Sequence, residues 1–174
     1  MKTSDQTAEF DTVVLPHLDA AYNLARWLAG NDHDAEDIAQ EAALRALRFL
    51  RNFRGENSRA WLLAIVRNTA YTWLKRNRPS AIVSLDNEQL LEIEDTATPP
   101  TDSATIRSTD AVALKAALDE LPELFREALV LRELEGLSYK EIAEIADVPI
   151  GTVMSRLGRA RRQFIKILNQ KGQT

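Results

Sequence analysis

The residues with the plainest chemistry lie near the end of the chain. Thr152, Ser155, Arg156, Arg159, Arg162 and Lys166 follow one another at helical spacing, and no acidic residue occurs from 151 to 174. Hydroxyls and guanidinium groups read base edges in a DNA major groove, and flanking cations meet phosphates. The preceding residues supply a mount for such a helix. Ser138 and Glu141 have the spacing of a capping box, and Ile142, Ala143 and Ala146 make an inward side. Asp147-Val148-Pro149 then turns the chain sharply into a new helix. A basic terminal helix alone reads as a solvated face. With a helix-turn-helix directly in front of it, the reading is duplex DNA.

A second constellation occupies residues 45–79. Arg45, Arg48, Arg51, Arg54, Arg59, Arg67, Lys75, Arg76 and Arg78 are interleaved with Phe53, Trp61, Tyr71 and Trp73. Cations among aromatic rings suit single-stranded nucleic acid, whose bases stack on rings while cations follow the backbone. The polar loop at 52–59 is long enough to form a pocket. The bland alternative is that Phe53 and Trp61 belong to a core, Trp61 at least in part.

Other chemistries are poorly represented. The 174 residues include no cysteine, which excludes disulfides, thiolate zinc sites and a cysteine nucleophile. His17 and His33 are isolated, and there is no phosphate-binding glycine loop, nucleophile elbow or zinc-protease motif. The chain therefore does not read as an enzyme, and no cofactor is expected. Asp32-His33-Asp34 is better explained as the start of a helix than as a metal site. No apolar run approaches the roughly 18 residues of a membrane span. The polar, acidic N-terminus lacks a signal peptide's apolar stretch. A cytoplasmic protein is the expectation.

The net charge of −4 speaks superficially against nucleic acid, but it is unevenly spread. Successive segments carry −7 (1–44), +8 (45–79), −6 (80–110), −5 (111–150) and +6 (151–174). Two basic blocks in an acidic background are the footprint of a nucleic-acid binder.

The elements that must position these groups are helices. The composition, 45% hydrophobic and 28% charged with six Gly and six Pro, is globular. The pattern is all-α: an N-terminal helical bundle over 1–79 and a C-terminal helix-turn-helix domain over 109–174, joined by a flexible acidic linker over 80–108. Leu15, Leu18, Tyr22, Ala25 and Leu28 line a first helix, kinked or started by Pro16 and stopped by Gly30-Asn31-Asp32. A second runs from Asp34 to Leu50 with Ile38, Ala42 and Ala46 inside. Its acids come first and its arginines last, as the helix dipole favours. A third, capped by Ser58, runs to about Arg78 with Trp61, Leu62, Ile65, Val66 and Thr69 on its apolar face. Thr, Ser, Pro and Asp dominate residues 95–103, which read as a tether. Helices over 109–119, 122–135, 138–146 and 149–168 complete the chain.

Three stretches, in this order, resemble bacterial sigma factors of the sigma-70 family, in the extracytoplasmic-function group. Asp34–Ala46 is similar to their polymerase-binding helix, and Phe53-Arg54-Gly55 with Trp61–Asn68 to their promoter-melting segment. Gly151–Arg161 is similar to their recognition helix. The resemblance implies a transcription initiation factor that binds core RNA polymerase and directs promoter recognition and melting. It implies that Asp37, Gln40 and Glu41 meet the polymerase. Asn52, Phe53, Asn57 and Ser58 would hold an extruded base of the single-stranded −10 element, since base flipping needs such a pocket. Arg59, Arg67, Asn68, Lys75 and Arg76 would follow that strand's phosphates. Thr152, Ser155, Arg156 and Arg159 would read the duplex −35 element, with Arg162 on its backbone.

An anti-sigma factor is a further implied partner, and the acidic linker would pass through the polymerase's RNA exit path; mere solubility is that linker's other reading. Two positions depart from the family pattern. Thr72 stands where members often carry an acid, and Met154 where many carry a polar or charged group. Methionine can touch a thymine methyl but cannot read a guanine. The alternative function is a free-standing helix-turn-helix regulator, a class that usually dimerises on palindromic sites.

Overall fold

The computed structural model describes residues 2–78 and 111–172, so the linker expected over 80–108 lies outside the described residues. The N-terminal half consists of α1 (Lys2–Val13), a 3-10 turn (Leu15–His17), α2 (Leu18–Ala29), α3 (Asp32–Phe49), a second 3-10 turn (Leu50–Asn52) and α4 (Ser58–Asn77). The C-terminal half has α5 (Ala111–Glu120) and α6 (Glu123–Leu129), which continues into a π-helical turn (Val130–Leu134). It ends with α7 (Tyr139–Ala146) and α8 (Ile150–Lys171). No strand occurs among the described residues.

Local chemistry sets most of these boundaries. Gly30, at φ +82°, closes α2 in the left-handed conformation that suits a residue without Cβ. The Asn31 side chain then accepts from the Asp34 N–H at 2.9 Å and opens α3. The expected first helix is in fact two. Pro16 lacks an N–H and sits in the 3-10 turn, so α2 starts afresh at Leu18, while α1 reaches back to Lys2. The register therefore changes across Pro16, and Leu15 and Leu18 lie exposed instead of in the core. At α4 the cap is Asn57, whose side chain accepts from the Ala60 N–H at 3.0 Å; Ser58 is the first helical residue.

Packing follows the apolar faces. Leu24 and Leu28 of α2, Ile38, Ala42 and Ala46 of α3, and Leu62, Leu63 and Val66 of α4 are buried together. The alanines on α3 let its neighbours approach closely. In the C-terminal half, Leu121, Phe125, Leu131, Ile142, Val153 and Leu157 are buried. The two halves also pack on each other, α2 against α6 and α4 against α7.

The capping box forms as expected. Ser138 Oγ accepts from the Glu141 N–H at 3.1 Å, and Glu141 Oε2 accepts from the Ser138 N–H at 2.7 Å. Asp147, at φ +55°, makes the left-handed turn, and Pro149 caps α8. The Ser138 N–H, followed by Asn57, holds the Glu141 carboxyl below its ordinary range near 4.5. A carboxyl depressed in the fold contributes stability above its unfolded pKa and loses it as pH falls through the folded value. Glu141→Gln is therefore expected to flatten the decline of melting temperature below about pH 4.5. Parallel acid profiles for wild type and variant would contradict this.

Candidate nucleic-acid interface

The loop between α3 and α4 builds a cleft. Phe53 and Trp61 meet with ring centroids 5.0 Å apart, inclined at 48°. A Cβ on Gly55 would come within 3.2 Å of the Phe53 ring, so glycine lets the loop fold over that ring. Asn52, Phe53, Arg54, Gly55, Glu56, Asn57 and Trp61 line a cleft of about 480 Å³, within the range of small-molecule sites. Trp61 is half-buried, packed on the core and lining the cleft at once. Ser58 Oγ lies 3.0 Å from His17 Nε2. Burial, with the charge of Arg59 second, lowers the His17 pKa.

The cations behind the cleft fall into two groups. Asn68, Lys75 and Arg76 are exposed along α4. Arg59 and Arg67 are not. Arg59 donates to the Glu135 carbonyl and, at 3.0 Å, to its carboxylate. Arg67 pairs with Glu127, which also accepts from the Tyr71 hydroxyl at 3.2 Å. Glu127 is only 2% exposed. Burial pushes its carboxyl up, while Arg67 pulls the other way, and burial with the neighbouring Glu127 keeps the Tyr71 hydroxyl protonated. Thr72 donates back to the Asn68 carbonyl at 2.9 Å.

On α8, Thr152, Ser155, Arg159 and Arg162 are half-buried. Arg156 differs from expectation: it is 7% exposed and its charge acts on Glu127. Met154 is 55% exposed. On α3, Asp37 and Gln40 are exposed, and Glu41 is half-buried with an ion pair to Arg45 at 2.6 Å. Exposed Leu44 lies one turn further along this face.

Sequence reasoning missed Glu127, Glu135, Glu141 and Glu144 as neighbours of the DNA-type residues. Nothing in their local spacing signals it, because each meets a group more than 55 residues away. His33 lies exposed in the first turn of α3, and no cluster able to hold a metal ion occurs among the described residues. Among those residues no helix is long and apolar enough to cross a membrane.

Two family models match the chain: Sigma-70 region 2 over residues 13–79 and Sigma-70, region 4 over residues 111–164. The "RNA polymerase sigma-H factor" of Pseudomonas aeruginosa is 36% identical over 167 residues, covering 91% of this chain and 86% of that protein. The chain belongs to the sigma-70 family of RNA polymerase sigma factors. It is thus a transcription initiation factor, and its relatives place it in the extracytoplasmic-function group. The "ECF RNA polymerase sigma factor SigE" of Mycolicibacterium smegmatis is 38% identical over 165 residues, covering 93% of this chain; the present sigma factor spans 63% of that relative's length. Among solved structures, the sigma factor RpoE in complex with the anti-sigma factor NepR from Bartonella quintana matches with a TM-score of 0.71 and 31% identity, covering 92% of this chain and 96% of that one. CnrH in complex with the cytosolic domain of CnrY matches with a TM-score of 0.63 and 25% identity, covering 92% and 88%. The first matched region contains the first basic block, and the second takes in most of the other.

Proposed function

We propose that this sigma factor divides promoter recognition between its halves, residues 1–79 taking the opened −10 strand and 109–174 the −35 duplex. The observation that carries the reading is the aromatic cleft at Phe53 and Trp61, with asparagines at its rim and exposed Asn68, Lys75 and Arg76 behind it. An extruded base stacks on Phe53 and bonds to Asn52 or Asn57, with Ser58 at the cleft's helical edge, while the cations, Arg59 and Arg67 included, track phosphates. Thr152, Ser155 and Arg159 read base edges, and Arg162 holds the backbone. Arg156, more buried on the same helix, joins them.

The exposed face of α3, with Asp37, Gln40 and Glu41, docks on core RNA polymerase. The polymerase supplies the catalysis, in the cytoplasm, and the sigma factor needs no cofactor of its own. The likeness to a sigma factor solved with an anti-sigma factor supports such a factor as a regulatory partner.

Two variants test the division. Phe53→Ala in the polymerase-bound factor is expected to lower promoter opening by about 10–100-fold, the value of one base–aromatic stack. It leaves polymerase affinity and −35 duplex binding intact. Arg159→Ala is expected to weaken −35 binding about 10-fold or more and to leave opening of a pre-melted template unchanged. Permanganate footprinting of unpaired thymines reads the first, and duplex retention the second. Equal losses in both assays for both variants would sink the division of labour.

A further inference from the structure

One exposed edge of α8 carries groups that neither the core nor the polar readers of that helix use. Ile150 is 46% exposed and Met154 55% exposed, one turn apart at the start of the helix. A single exposed apolar side chain is ordinary, but two stacked on adjacent turns of the helix assigned to a DNA groove are a patterned surface. Gly151 and Gly158 lie about 60° and 40° round the helix from Met154, and Ser155 and Arg159 lie about 100° and 140° round in the same sense. The glycines thus sit between an apolar edge and a polar one. A Cβ added at either would meet nothing within 4 Å, and neither glycine has a positive φ. Glycine inside a helix is less stable than alanine, so at Gly158 nothing within the described chain calls for it.

We propose that Ile150 and Met154 form a methyl-reading edge that selects a thymine, on either strand, within the −35 duplex, and that Gly158 lets the helix backbone close on the DNA beside it. This rests on the assignment of α8 to that duplex. Thymine is the one base that shows a methyl group in the major groove. The unbranched, polarizable side chain of Met154 adapts its shape to such a group, and β-branched Ile150 is the stiffer wall behind it. Neither side chain donates a hydrogen bond, and the thioether accepts only weakly. A guanine, adenine or cytosine edge set against the pair loses its water and gains no partner, so the edge also rejects the wrong base. Thr152, Ser155 and Arg159 take the neighbouring base pairs by hydrogen bonds.

A site recovered by the polymerase-bound factor from a randomised duplex supplies the probe. Each thymine of that site, on either strand, is replaced in turn by deoxyuridine, which removes one methyl group and keeps the base pair. One thymine, or two adjacent ones, is expected to lose about threefold to fivefold in retention on this change, the contribution of one buried methyl group. In Met154→Ala that penalty is expected to vanish, thymine and uracil binding alike; Met154 and Ile150 are both exposed, so their replacement leaves the fold intact. Gly158→Ala is expected to raise the melting temperature by about 2–4 °C and yet to weaken retention of the same site, a pairing that a purely structural glycine would not give. Uracil tolerated at every position, or a uracil penalty unchanged in both Met154→Ala and Ile150→Ala, would overturn the methyl edge. Unchanged retention in Gly158→Ala would overturn it too, by taking that face off the DNA. Loss of core polymerase in Met154→Ala with the uracil penalty intact would give the pair to a protein partner instead. The underlying assignment fails separately: if Arg159→Ala retains the site as the wild type does, α8 is not the −35 reader and the edge falls with it.

Discussion

Arg126→Met is expected to destabilise the sigma factor by about 3–4 kcal/mol, because the guanidinium is a buried cap for which the chain has no substitute. Arg126 is 9% exposed. Its Nε donates to the Leu118 carbonyl at 3.0 Å, and its terminal nitrogens donate to those of Asp119 at 3.0 Å and Leu121 at 2.9 Å. These are the last carbonyls of α5 and its exit, where a helix runs short of internal partners; the Leu118 carbonyl also accepts from the Leu121 N–H at 3.1 Å. The cation also meets the negative end of the helix dipole. Methionine keeps the apolar stem and abandons the carbonyls, each costing about 1–3 kcal/mol when buried unpaired, with relaxation recovering part of the sum. Lysine at the same site retains charge but not the planar fork, so an intermediate loss is expected. Urea unfolding followed by circular dichroism reads the series, and a midpoint unchanged in Arg126→Met would show that water replaces the fork.

The second large effect concerns the polymerase. Asp37→Lys with Glu41→Lys is expected to weaken co-elution with core polymerase by about 100-fold or more, since like charges brought together at an interface cost several kcal/mol. Asp37 is exposed and free of the core, so its reversal leaves α3 intact. Glu41→Lys also breaks the pair with Arg45, an exchange worth only a few tenths of a kcal/mol to the helix. Asp11→Lys on exposed α1 serves as the charge control and should co-elute normally. Retained co-elution of the double variant would move the protein interface elsewhere, to Leu44 and its neighbours first. Duplex binding by a chain that never joins polymerase would instead favour the free-standing regulator.

What the sequence disclosed was what is local. The capping box at Ser138, the turn through Asp147, the buried stripe of Ile38, Ala42 and Ala46, and the arginine-rich end of α3 are all set by neighbours within a few residues. The aromatic cleft was legible for the same reason, since Phe53, Gly55 and Trp61 lie within nine positions. Leu15 and Leu18 were misplaced because a helical count was carried through Pro16, where the chain restarts its register. α1 went unseen beyond its last turns because only Phe10 and Val13 give it an apolar side. Arg156 falls on the base-reading face of α8 by its spacing, but its burial there was not legible. Its charge acts on Glu127, 29 positions earlier, a neighbourhood that only the tertiary structure creates.

The π turn over Val130–Leu134 acquires a meaning from angles alone. A regular helix advances about 100° per residue, so residues eight apart, such as Glu127 and Glu135, would point about 80° away from each other. The wide turn takes up about one residue, which reduces the divergence to roughly 20° and aims both carboxylates at α4. Along α4 the matching arginines, 59 and 67, are also eight apart and are met in reverse order, so the two elements run past each other in opposite directions with equal spacing. Straightening the turn at the same chain length would restore the divergence of about 80°, whereas a regular helix one residue shorter would keep the carboxylates about 20° apart, so the wide turn absorbs the one surplus residue. The irregular turn works as a gear tooth, setting the phase of one half of the molecule against the other.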